Sequence, residues 1–152
     1  MLLARRIWNW CRRFRYRCGY GVHSPSDFFL ITSVIYEGLP YYAYDRLKAS
    51  SGLKSLPHYR EKVNRLLFRL VNYFRPVSLI EVGEGNGDSF RYMREARLSM
   101  KAVSLKGEDQ AETLRQLKVE LEKVEKLDFL HIAYTTYDKD IFEMAYPYLH
   151  AQ

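Results

Sequence analysis

Between Tyr59 and Phe74 the apolar residues Val63, Leu66, Leu67, Leu70, Val71 and Phe74 fall at i, i+3, i+4, i+7, i+8 and i+11. That is the spacing of one helix face, and Pro76 stops the run. From Val77 onward the period changes. VSLIEV reads as a buried strand, Ser89 to Arg97 as a helix and KAVSL as a second strand. Asp109 to Lys126 reads as a helix with Ala111, Leu114, Leu117, Leu121 and Val124 on one face, LDFLHI as a third strand, and Asp138 to Leu149 as a last helix whose end Pro147 disturbs. Strands alternating with helices predict right-handed crossovers and a parallel sheet covered on both faces. Upstream, Ser26 or Asp27 is placed to cap a short helix from Phe28 to Tyr36, which Gly38-Leu39-Pro40 ends. KASSGLKSLPH, Lys48 to His58, is the most linker-like segment.

The first residues carry a different pattern. Leu3, Ile7, Trp10, Cys11, Phe14 and Cys18 form a narrow apolar stripe at helical spacing, with Arg5, Arg6, Arg12, Arg13, Arg15 and Arg17 on the other side. This arm contains no acid. With its six arginines set aside, the rest of the 24 basic residues equal the 18 acidic ones, so the net charge of +6 sits in the arm. Two uses fit: a surface for nucleic acid or an anionic membrane, or a helix docked by its stripe with its arginines in water. Arginines interrupt every candidate signal core, and no run of about 18 apolar residues exists to cross a membrane, which predicts a cytoplasmic protein. Cys11 and Cys18 read as two reduced thiols on one helix face. At 152 residues and 47% apolar, the chain can bury one core.

The candidate chemistry lies in LIEVGEGNGDS, Leu79 to Ser89. A strand running into Gly83, Gly85 and Gly87 before a helix offers backbone that a ligand can approach closely, and free N–H groups at the helix start favour anionic or electron-rich groups. The spacing fails the dinucleotide fingerprint, because Gly87 comes one place early, and it fails the phosphate-loop motif. His23, His58, His131 and His150 have no Cys or Asp partner at nucleophile or metal spacing and read as structural or surface residues. The tyrosines of YYAY and YPY read first as packing.

LIEVGEGNG resembles the first motif of class I S-adenosylmethionine-dependent methyltransferases. GVHSPSDFFLITSVIYEGLPYYAYDRL and EKVNRLLFRLVNYFRP are similar to the N-terminal extension of a methyltransferase-like family found in Bacteroidetes, with a weaker echo at LDFLHIAY and FEMAYPYLH. The resemblance implies an α/β Rossmann-like methyltransferase fold over residues 77–152, incomplete at about three parallel strands with helices on both faces. A basic arm and helical extension over residues 1–76 would precede it. It implies S-adenosylmethionine as cofactor, with Glu81 facing its methionine end and Gly83, Gly85 and Gly87 forming the loop around it.

The chain departs from that pattern in three ways. Lys106 stands where such enzymes place an acid for the ribose hydroxyls, and an ammonium has no acceptor capacity; Glu108 or Asp109 could substitute only through a shifted loop. Ala133 stands where the family tends to place an aspartate, which predicts no Mg²⁺ site. The later strands are missing, which predicts exposed sheet edges covered by the N-terminal helices or by a second copy in a homo-oligomer, or else a truncated or degenerate member of the family. The expected function is a methyltransferase-like protein of unknown acceptor, its cofactor site partly retained and its activity impaired or absent. The alternative is a non-catalytic binding module that acts through the arginine arm on nucleic acid, an anionic membrane or a protein. A basic Lys106 meeting the 2′-phosphate of an NADP-like ligand is a third reading, opposed by the glycine spacing.

Overall fold

The computed structural model describes residues 2–14, 19–50, 58–83, 87–107, 109–133 and 135–149. Arg15, Arg17, Cys18, residues 51–57 of the linker-like segment, Gly85 and Glu108 lie outside the described residues. The chain divides into two compact units, Met1–Pro40 and Tyr41–Gln152.

In the first unit, helix α1 spans Leu2–Phe14. Residues 4–13 are all exposed, with Ile7 at 55%, Trp8 at 65% and Trp10 at 54%. Of the expected stripe, Ile7, Trp10 and Cys11 are exposed. Helix α2 spans Pro25–Leu30 and continues as a π-helical turn over Ile31–Ile35. Its cap is Ser24, whose hydroxyl accepts from the Asp27 N–H, and not Ser26 or Asp27 as the sequence suggested. The reason is Pro25, whose fixed φ and missing N–H suit the first helical position and so place the cap on the residue before it. In the wide turn the Thr32 hydroxyl donates to the Phe28 carbonyl at 2.8 Å, and the Tyr36 N–H reaches the Ile31 carbonyl, five residues back.

The second unit is an α/β domain. Helices α3 (Tyr42–Ser50) and α4 (His58–Phe74) precede strand β1 (Ser78–Gly83), followed by α5 (Asp88–Ala96), β2 (Lys101–Leu105), α6 (Gln110–Glu122), β3 (Phe129–Ala133) and α7 (Asp138–Leu149). The three strands form one all-parallel sheet in the order β2-β1-β3, as the strand and helix alternation predicts. Among the described residues no further strand pairs with β2 or β3. Helix α3 was not foreseen; it covers the first three residues of the linker-like segment. Helix α6 ends four residues before Lys126, where the expected helix ended.

Strand alternation assigns the two faces. Ile80 and Val82 point one way, into a core with Leu105, Leu117, Leu121, Leu127, Ile141 and Ala145 that α6 and α7 close. Leu79 points the other way, into a core with Leu67, Val71, Met93 and Met100 beneath α4 and α5. Burial of each such side chain contributes about 1.5–3 kcal/mol. Part of YYAY is packing, as read: the Tyr41, Tyr44 and Phe68 rings lie 5.3 Å apart pairwise, with Arg65 over the Tyr44 ring. Tyr42, between them, is fully exposed.

The amino end of the sheet is tied by side chains. Asp128 accepts from the backbone N–H of Val77 at 2.8 Å and of Ser78 at 3.2 Å. The Ser78 hydroxyl donates to the Lys126 carbonyl and accepts from the Asp128 N–H. Among the described residues no helix is long and apolar enough to cross a membrane.

Candidate site at the carboxyl end of the sheet

From β1 the chain passes to β2 on one side, then crosses to β3 on the other, so the carboxyl ends of β1 and β3 flank a topological switch point, where α/β folds bind ligands. Gly83 closes β1 opposite Ala133 of β3. Its φ is +145°, and a Cβ there would stand 1.7 Å from the Ala133 carbonyl oxygen. The close approach that demands this glycine is therefore that of the neighbouring strand. Gly87 is different. It adopts the left-handed conformation, φ +82°, immediately before α5, and among the described residues a Cβ there would meet only Nζ of Lys106 within 4 Å, at 3.8 Å.

Glu81 lies opposite Ser104 of β2 and His131 of β3. It is 2% exposed. Its Oε2 accepts from the Ser89 hydroxyl at 2.7 Å and lies 2.8 Å from Nδ1 of His131, and its Oε1 accepts from the Ser104 hydroxyl at 3.4 Å. Ser89 is in the first turn of α5, so the glycine turn is what brings its hydroxyl over the strand. The network satisfies a buried carboxylate with three donors from three elements. It also turns the carboxylate toward its neighbours within the fold.

Sequence reasoning set His131 aside, and the structure places it at the centre of the site. Its Nδ1 meets the Glu81 carboxylate, and Nε2 is the ring nitrogen outside that contact. Its side chain is 19% exposed. The signal that could have found it is a polar residue set within the apolar run of each strand, after its first position: Glu81 in SLIEVG, Ser104 in KAVSL and His131 in FLHIA. In a parallel sheet these form one row.

Beyond Ala133, an open pocket of about 460 Å³ is lined by Ile132, Thr135, Asp138, Lys139 and Phe142, where β3 passes into α7. The Thr135 hydroxyl is buried there with no hydrogen-bond partner. Ala133 itself is buried and offers only a methyl group. Among the described residues no group of three or more His, Cys, Asp or Glu side chains is arranged to hold a metal.

Between α4 and α5 a second polar cluster has formed. The Tyr92 hydroxyl and Nε of Arg65 are buried without partners, while the Arg65 guanidinium meets Glu61 at 2.5 Å. Burial raises the Tyr92 pKa above its usual value; Glu61, Asp88 and Tyr44 push the same way, and Arg65 opposes them.

No family model, no curated protein and no solved structure matches this chain, so the reading of its site rests on the geometry above.

Proposed function

We propose that the carboxyl end of the sheet is a reduced methyltransferase-type site, retaining weak affinity for S-adenosylmethionine or its demethylated product, with methyl transfer impaired. The observation that carries this reading is the switch point between β1 and β3, with the Gly87 turn delivering α5 onto the buried Glu81. Two parts of the site fit the cofactor. The left-handed Gly87 leaves room above the turn, and the first N–H groups of α5 face an electron-rich ligand.

Two parts do not fit. Lys106 brings an ammonium to the glycine turn, where ribose hydroxyls require acceptors, and Nζ has donors only. Glu81 has its oxygens engaged by Ser89, Ser104 and His131, which leaves less acceptor capacity for the methionine amino group. A fold that keeps the turn and lacks the acceptors is expected to bind weakly and turn over slowly.

Calorimetric titration of both ligands against the wild type and Lys106→Glu tests this. The expected result is weak binding by the wild type and about tenfold tighter binding by the variant, the order of one charge-assisted hydrogen bond. Absence of binding by either protein refutes the reading.

A further inference from the structure

We propose that α1 is an interfacial helix that lies on anionic lipid surfaces. From Arg5 to Arg13 the helix puts its arginines and its apolar residues on opposite sides. At about 100° per residue, Arg5, Arg6, Asn9, Arg12 and Arg13 share an arc of about 120°, and Ile7 and Cys11 lie opposite. Trp8 and Trp10 fall on the two flanks of that apolar arc, the depth at which amphipathic indoles settle at a membrane interface. Ile7, Trp8 and Trp10 are each more than half exposed, and Cys11 is exposed and outside any disulfide among the described residues. No salt bridge among the described residues involves Arg5, Arg6, Arg12 or Arg13.

Charge and length select the occupant. The helix has 13 residues, about 20 Å, against about 30 Å for the hydrocarbon core, so it is suited to lie flat and not to cross. Its arginines complement an anionic surface, and its apolar arc complements the acyl boundary beneath. Nucleic acid would use the arginines and leave Ile7 in water. A second copy seated on the apolar arc would leave the arginines in water. An anionic lipid surface takes both faces at once.

The chain's two tryptophans are Trp8 and Trp10, so tryptophan emission reports on α1 alone. The full chain would be titrated with vesicles of phosphatidylcholine containing 30% phosphatidylserine, with pure phosphatidylcholine vesicles and with poly(U), at low and high salt. The expected result is a blue-shifted emission, quenched by brominated lipid, with the serine-containing vesicles only. Arg12→Gln/Arg13→Gln should weaken partitioning about thirtyfold, and Ile7→Gln about tenfold at unchanged charge. Three results would overturn the proposal. One is binding to poly(U) without lipid quenching. Another is emission already blue-shifted in buffer and dependent on protein concentration, which would place a second copy on the apolar face. The third is failure to bind the serine-containing vesicles.

Discussion

The two ends of the sheet use polar residues in opposite ways. At the amino end, Ser78 and Asp128 donate and accept reciprocally between β1 and the residues that lead into β3, and these contacts join groups of the fold to one another. At the carboxyl end, Glu81 is held by three donors, yet Thr135 buries a hydroxyl with no partner and Lys106 brings a positive charge to the positive end of α5. The amino end closes a structure. The carboxyl end keeps unspent hydrogen-bonding capacity, which costs stability and is worth keeping where a ligand uses it.

Substitutions can break or sharpen that contrast. The largest effect is expected from Gly83→Ala, because a methyl cannot share space with the Ala133 carbonyl and the φ of +145° disfavours any side chain. A loss of at least about 4 kcal/mol is expected, read as failure to recover folded protein or as a collapsed urea midpoint. Asp128→Ala comes next. It leaves the Val77 and Ser78 N–H groups without their acceptor and should cost about 2–3 kcal/mol, with Asp128→Asn restoring part.

Glu81→Gln and His131→Gln should each cost about 1–2 kcal/mol, and their double-mutant cycle should show about 1 kcal/mol of coupling. A coupling near zero would mean the 2.8 Å contact adds nothing to the fold. The smallest effects, of opposite sign, are expected from Thr135→Val and Tyr92→Phe. Each deletes a buried hydroxyl that lacks a partner, so stability should hold or rise by up to about 1 kcal/mol.

Tyr92→Phe also has a pH signature. The fold raises the pKa of Tyr92 above the ordinary 10.0, so the unfolded chain releases this proton first. The resulting stability is intact below about pH 10 and is lost as pH rises through the folded value. Unfolding midpoints of wild type and Tyr92→Phe at increasing pH should therefore diverge only in the alkaline limb.

The parallel sheet, its faces and most helices were legible because apolar periodicity is local information. Val63 to Phe74 announces α4, and the short apolar runs announce the strands. Helix α3 was not legible: YAYDRLKAS has no clean apolar stripe, and it is helical because Tyr44 and Leu47 pack on Phe68 and Tyr92. The glycine loop was legible as a special backbone, but the reason for Gly83 was not, since it depends on a strand 50 residues away. The same separation hid the meeting of Glu81 and His131. Register across a parallel sheet is set by tertiary packing, and no local pattern in either strand contains it.

Because β1 sits in the middle, it is the first strand made and the last one finished. Its ladder with β2 closes after about one helix of further chain, but its ladder with β3 waits until Phe129 to Ala133 has emerged. During synthesis one edge of the most buried strand therefore stays open across the whole of α6. Contacts this distant in sequence slow the search for the native state. A ribosome-stalled chain ending after α6 should engage chaperones, and one that includes β3 and α7 should release them.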